Sequence, residues 1–211
     1  MYNKLYDYYR SSCSYRVRIA LNLKKIPYEK INISLIDHKH HESTYTFINP
    51  QAAVPTWEDE HIQLTQSLAI LEYLDEQYPH TIPILPRSPL LRARARQFSL
   101  IIACDIHPLN NLRVKEYLRD EGWSDEKFLN WYHHWLAEGF YGLEQLLNKF
   151  QQDGPYCLGS QVTIADICLI PQIYNAFRFS FDMTEYPHIM NIYRQCQRIP
   201  AFIDAEPQKS A

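Results

Sequence analysis

Ser11-Ser12-Cys13-Ser14-Tyr15-Arg16-Val17-Arg18-Ile19-Ala20-Leu21 is the stretch that decides how this chain is read. It sets small hydroxyls and a thiol where a short strand, Lys4–Tyr8, gives way to an amphipathic helix, Ser14–Lys24. The first N–H groups of a helix have no acceptor inside it, and the helix dipole favours negative charge there. An anion, including a thiolate, is therefore stabilised at Ser11–Cys13. That thiolate is either Cys13's own or one delivered by a ligand.

The helix places Val17, Ala20 and Leu21 on one face, with Arg16 and Arg18 pointing elsewhere. Pro27 ends it, and Tyr28–Ile33 reads as a second strand. Residues 37–49 are polar and irregular. Pro55–Glu58 and Ile62–Thr65 read as two strands joined through Asp59-Glu60, and Gln66–Gln77 as a helix with Ile70, Leu71 and Leu74 apolar. The order β-α-β-loop-β-β-α is the layout of a thioredoxin-like domain. Pro79, Pro83, Pro86 and Pro89 then mark an extended linker, which predicts domains at 1–82 and 88–211. Beyond it the pattern is helical: Leu90–Arg119, Asp125–Phe150, Ile164–Phe179 and Tyr186–Arg198. Thr163-Ile164-Ala165-Asp166 is a capping box at the start of the third, which is apolar nearly all round and should be buried and kinked at Pro171. The expected fold class is thus α/β followed by all-α.

Composition narrows the function by exclusion. The chain has 211 residues, enough to bury a core without disulfides or metals, and 46% are hydrophobic. A formal net charge of −3 gives no electrostatic case for nucleic acid or an anionic membrane surface. Five dispersed cysteines with no C-x-x-C pair argue against a zinc ribbon or a two-cysteine redox motif and fit a reducing, cytoplasmic setting. No signal peptide and no membrane-length apolar run are apparent. All five glycines lie beyond residue 120, which removes a glycine-rich phosphate cradle from the first half.

A thioredoxin-like domain joined by a proline-rich linker to a helical one resembles the soluble glutathione transferases. Ser11–Leu21 resembles the signature of their zeta class, whose best-known activity is maleylacetoacetate isomerase. Asn49-Pro50-Gln51-Ala52-Ala53-Val54-Pro55-Thr56 is similar to the family's cis-proline segment, and Gln66-Ser67-Leu68-Ala69-Ile70 to its glutathione-binding turn. Thr163–Asp166 matches the family's helix cap. Ile106–Leu112 and Asn175–Phe179 resemble zeta segments on the substrate side. His107 stands where some zeta members have Gln, and only His titrates near neutral pH.

The resemblance implies glutathione as cofactor and a small-molecule substrate, maleylacetoacetate or similar, handled by a homodimer. Val54 and Pro55 would pair the tripeptide's main chain like an added strand. Taken alone, the dipeptide is more often an ordinary trans turn. Gln66 and Ser67 would take the γ-glutamyl carboxylate, a role compatible with plain helix capping. His107 and Asn111 would complete the glutathione side. Ser11 would donate to the glutathione sulfur, supported by Ser12 and Cys13. Cys13 is otherwise an inert thiol, or a nucleophile forming a mixed disulfide. Arg178, and Arg10 beside the centre, would hold substrate carboxylates.

The implied reaction is cis–trans isomerisation by reversible thiolate addition. The alternatives are maleylpyruvate isomerase, a zeta-type transferase or dehalogenase, a thiol–disulfide reductase using Cys13, and a non-enzymatic binding protein of the same fold. His38, His40 and His41 sit in one irregular stretch, a poor spacing for a defined zinc site. No metal is expected, and that loop is expected to close over the glycine end of glutathione.

Overall fold

The computed structural model describes residues 2–150 and 153–207. Contacts divide the chain into two compact units: residues up to Leu85 together with the segment from Arg198, and Pro86–Gln197. The segment from Arg198 therefore packs with the first unit, not with the helical one to which the sequence reading (88–211) assigns it.

In the first unit β1 (Lys4–Asp7) leads through α1 (Ser12–Lys24) to β2 (Glu29–Asn32), which lies parallel to β1. The stretch expected to be irregular holds a 3-10 turn, Lys39–His41, and a one-turn helix α2 (Ser43–Thr46). β3 (Thr56–Glu58) and β4 (Gln63–Thr65) follow, each antiparallel to its neighbour, and α3 (Ser67–Gln77) closes the unit. The strand order is β2-β1-β3-β4, the thioredoxin-like arrangement. Leu5 and Trp57 face each other in register and are fully buried, as are Val17, Leu21, Ile70, Leu71 and Leu74 of the two packed helices.

α1 is not amphipathic in the expected sense. Both Arg16 and Arg18 are buried, at 1% and 5% exposure. The covering layer is the returning chain end, which includes a helical turn at Pro200–Ile203. Arg18 Nε donates to the Ala205 carbonyl (3.0 Å), Asn22 Nδ2 to Ala201 (3.1 Å) and the Tyr15 hydroxyl to Phe202 (3.4 Å). At the base of the unit Asp75 accepts from Lys24 Nζ (2.9 Å) and from the main-chain N–H groups of Ile84 (2.8 Å) and Leu85 (3.2 Å). One carboxylate thus fixes where the first unit runs out into the linker.

The second unit begins with α4 (Pro89–Leu100), which passes into a π-helical turn, Ile101–Ile106, and stops. After a turn containing Pro108, α5 (Leu112–Asp120) starts anew, its Asn111 cap accepting from Arg113 N–H at 3.1 Å. The single helix expected over 90–119 is therefore two. A proline disfavours helix at the preceding residue and lacks the N–H to continue it. α6 (Asp125–Phe150) passes close to the π-turn at Gly139, where a Cβ would collide with the Ile106 side chain. α7 (Ile164–Arg178) opens with the expected capping box and runs through Pro171; its residues Ile164–Ile173 are all buried. α8 (Pro187–Cys196) completes the unit. Asp166 is fully buried; burial pushes its carboxyl up, against donors from Cys157 N–H and Thr163 N–H, both at 2.8 Å.

The β3–β4 turn gives a pH test. Asp59 is buried, and burial alone would push its carboxyl up. Bonds from Trp57 Nε1 (2.9 Å), the Tyr73 hydroxyl (2.9 Å) and the His61 (2.9 Å) and Ile62 (3.1 Å) N–H groups outweigh that and hold it below its usual value. A depressed carboxylate pKa contributes stability that is present above the unfolded value, about 3.9, and is lost as pH falls through the folded one. Asp59→Asn should destabilise by about 1–3 kcal/mol at pH 7. The gap to the parent should narrow below about pH 4. Urea denaturation at both pH values checks this; a gap that does not change with pH contradicts it.

Candidate functional site

β1 ends at Asp7, and the chain turns through Arg10 into α1. The turn is pinned from the helix side: Arg18 Nη2 donates to the Tyr9 carbonyl (2.9 Å), and Arg18 Nη1 pairs with Asp7 Oδ1 at 2.6 Å. Ser11 is the N-cap. Its Oγ accepts from Ser14 N–H at 3.2 Å, which leaves the hydroxyl proton to be given to something else. Ser12 is buried and Cys13 half-buried in the first turn. Arg10 Nη2 donates to the Tyr8 hydroxyl (2.8 Å), and its guanidinium lies over the Tyr9 ring at 5.2 Å.

The second half of the site comes from the segment before β3 and the start of α3. The Val54-Pro55 peptide bond is cis. Two side chains fix the approach to it: the Tyr45 hydroxyl and Asn49 Nδ2 both donate to the Ala53 carbonyl at 2.6 Å. Val54's own N–H and C=O make no hydrogen bond among the described residues, so the edge it presents is open to an extended partner. Gln66, the N-cap of α3, has φ 69° and ψ 112°, a conformation rarely adopted by a residue with a side chain. Such outliers concentrate where function over-determines the backbone. Gln66 Nε2 also donates to Gln51 Oε1 at 2.8 Å, tying the two loops together.

Arg16, which the sequence reading gives no role in the site, joins the halves. Its Nη1 donates to Ser67 Oγ at 3.2 Å and lies 3.9 Å from Cys13 Sγ. Cys13 and Ser67, 54 positions apart in sequence, thus share one nitrogen, and the starts of α1 and α3 are brought side by side. Nε and Nη2 of Arg16 are buried with no hydrogen-bond partner, and no carboxylate pairs with it among the described residues. A cation placed behind two helix starts makes this corner attractive to an anion through its charge. The one signal in the sequence was the lack of any acidic residue at helical spacing from Arg16.

The remaining expected residues belong to the second unit. His107 Nε2 and Asn111 Nδ2 are 3.2 Å apart, and the turn between them is held by Trp131 Nε1 donating to the Leu109 carbonyl at 2.9 Å. Arg178, at the end of α7, is exposed, and its guanidinium lies over the Phe179 ring at 5.2 Å. Tyr132 stacks on Phe179, and its hydroxyl, buried without a partner, is pushed up by burial and pulled back by the Arg178 charge.

Residues 5–83 match the family described as glutathione S-transferase, N-terminal domain. A maleylacetoacetate isomerase from Dictyostelium discoideum is 46% identical over 97% of this chain and 93% of its own length. The holo structure of a bacterial maleyl pyruvate isomerase, described as a zeta-class glutathione S-transferase, superposes with a TM-score of 0.95 at 40% identity, covering 99% of each chain. A maleylacetoacetate isomerase from Methylobacterium extorquens AM1, solved with malonate and GSH bound, gives 0.94 at 38% identity over 99% of this chain and 98% of its own.

The two arginines of α1 should respond oppositely to the same change. Arg16→Met removes a buried charge with little compensation and should leave stability within about 1 kcal/mol of the parent. Arg18→Met strands the Asp7 carboxylate and should cost about 3–5 kcal/mol. Chemical denaturation of both variants checks this; an Arg16→Met loss as large as that of Arg18→Met would contradict it.

Proposed function

The chain belongs to the zeta class of the glutathione transferase family, and from that membership we propose that it is a glutathione-dependent cis–trans isomerase acting on maleylacetoacetate. The carrying observation is likeness over nearly the whole chain to relatives named for this activity, several of them solved with glutathione or a derivative of it. Maleylpyruvate is the second reading, favoured by the 0.95 superposition on a maleyl pyruvate isomerase. When bound, glutathione supplies the thiolate that adds reversibly to the cis double bond and leaves once rotation about it is complete.

The residues present fit such a guest. Val54's main chain offers one N–H and one C=O to its backbone. Ser67 uses its oxygen to accept from Arg16, so its own proton is available to a γ-glutamyl carboxylate, and the α3 start adds its N–H groups. Gln66 flanks the same carboxylate. Ser11 donates its hydroxyl proton to the sulfur; the α1 start and the charge of Arg16, 3.9 Å from Cys13 Sγ, favour the ionised form. Lowering a thiol pKa by one unit requires about 1.4 kcal/mol of preference for the thiolate, within reach of one hydroxyl donor and a helix start. Ser12 and Cys13 shape the surroundings of that sulfur. Arg178 and Arg10 bind substrate carboxylates and hold the ends while the centre turns. His107 and Asn111 complete the glutathione side.

Cys13 as a redox nucleophile is the weaker alternative. Three of the other four cysteines offer no ready partner: Cys157 and Cys196 are buried, which pushes both thiols up, and Cys168 is buried as well; Cys104 is exposed, in the second unit. All five cysteines are free, in keeping with a reducing, cytoplasmic setting. The net charge of −3 favours neither nucleic acid nor an anionic membrane as partner. The homodimer is carried over from the resemblance; light scattering should return twice 25.1 kDa, and a monomer would remove it.

Ser11→Ala should lower kcat for glutathione-dependent isomerisation by about 10²–10³-fold while glutathione affinity changes little. Cys13→Ala should retain isomerase turnover and separates this mechanism from a reductase. Spectrophotometric assay of both substrates, with calorimetry of glutathione binding, checks these outcomes. No glutathione-dependent conversion of either maleylacetoacetate or maleylpyruvate would overturn the function.

A further inference from the structure

One turn of α6 braces two other segments of the second unit. Trp131 Nε1 donates to the Leu109 carbonyl at 2.9 Å, and His133 Nε2 lies 2.8 Å from the Phe179 carbonyl. Two residues apart on a helix is about 200° of rotation, so Trp131 and His133 leave α6 on different flanks. One holds the turn between His107 and Asn111, the other the end of α7. A carbonyl only accepts, so His133 Nε2 carries the proton of its bond.

The end of α7 is an unusual place to find such a brace unneeded. Phe181 N–H returns to the Ala176 carbonyl (2.9 Å) and Ser180 N–H to the Phe177 carbonyl (3.0 Å), the closure that a left-handed residue makes possible. That residue is Ser180, φ 54°, where glycine or asparagine is usual. A side chain in this conformation persists only where its surroundings over-determine it. His133 contributes: besides its bond to Phe179, its ring meets the Phe181 ring edge-on at 5.4 Å. Tyr132 contributes by stacking on Phe179, centroids 4.1 Å and planes 27° apart. Tyr132 is 1% exposed and its hydroxyl has no partner, so its ring is what it offers. The Phe179 ring fixed in this way is the one under the Arg178 guanidinium, at 5.2 Å. Arg178 is exposed, and no hydrogen bond or carboxylate orients it among the described residues.

We propose that His133 is a positioning residue for the substrate carboxylate. By holding the Phe179 carbonyl it fixes the ring on which the Arg178 guanidinium lies, and with it the direction in which that fork is presented. A planar bidentate donor recognises a carboxylate only in a set orientation. Misplacing a binding group by about 1 Å can cost a hundredfold in rate. The inference rests on the reading of Arg178 as a carboxylate ligand.

Succinate, a dicarboxylate that does not react with thiols, titrated calorimetrically into the full chain in the presence of glutathione, is the test. Saturable binding is expected, weakened more than about tenfold in Arg178→Ala and about tenfold in His133→Leu. Glutathione affinity should not change in either. His133→Gln, whose amide N–H reaches toward the same carbonyl, should restore succinate binding. In the Arg178→Ala background His133→Leu should add nothing, because it acts through Arg178. Phe179→Leu keeps the main-chain bond and removes the ring; it should weaken succinate on its own, which serves if His133→Leu does not fold. A chain that shows this pattern yet isomerises neither maleylacetoacetate nor maleylpyruvate loses the proposed function and keeps the inference. No saturable succinate binding, an equal effect of His133→Leu with and without Arg178, full succinate affinity in Phe179→Leu, or no restoration by His133→Gln would overturn it.

Discussion

The Asp7–Arg18 pair is the constraint from which the first unit is assembled. It is buried at both ends, 2.6 Å long, and every remaining donor direction used is met: Ala205 takes Nε and Tyr9 takes Nη2. Buried ion pairs are seldom a net gain in stability over apolar packing. Their use here is positional. One guanidinium ties the end of β1, the body of α1 and the last turn of the chain to each other, and through Tyr9 it decides where Ser11 emerges.

Two residues away stands an arginine with the opposite bookkeeping. Arg16 is as deeply buried, yet two of its three nitrogens have no partner. Orphaned buried donors are rare in native proteins and call for a reason. Its one engaged nitrogen touches the two helix starts that the proposed function uses, so its charge is held where a guest anion would feel it. Stability and chemistry are thus divided between neighbouring residues of one type on one helix.

Legibility in the sequence followed the range of the interaction concerned. The strand–helix–strand opening, the linker prolines and the Thr163–Asp166 cap depend on residues within a turn or two, and they lie where local pattern puts them. Ser11 and Ser67 were readable as helix starts for the same reason. The end of α4 was not, because Phe98, Ile102 and Ile106 keep an apolar spacing of four straight through the π-turn. Periodicity points Arg16 and Arg18 away from the apolar face; the returning segment takes Arg18 inside, and the start of α3 takes Arg16.

The returning segment also bears on how the protein is made. A ribosome delivers β1 and α1 first, but the carbonyls that satisfy Arg18, Asn22 and Tyr15 lie 187, 179 and 187 residues further along the chain. Until they emerge, the outer side of α1 lacks the acceptors that complete it. Its completion waits for residues 201–205, so a chain cut before residue 198 would leave a nascent product for chaperones and proteases rather than a free-standing glutathione-binding module.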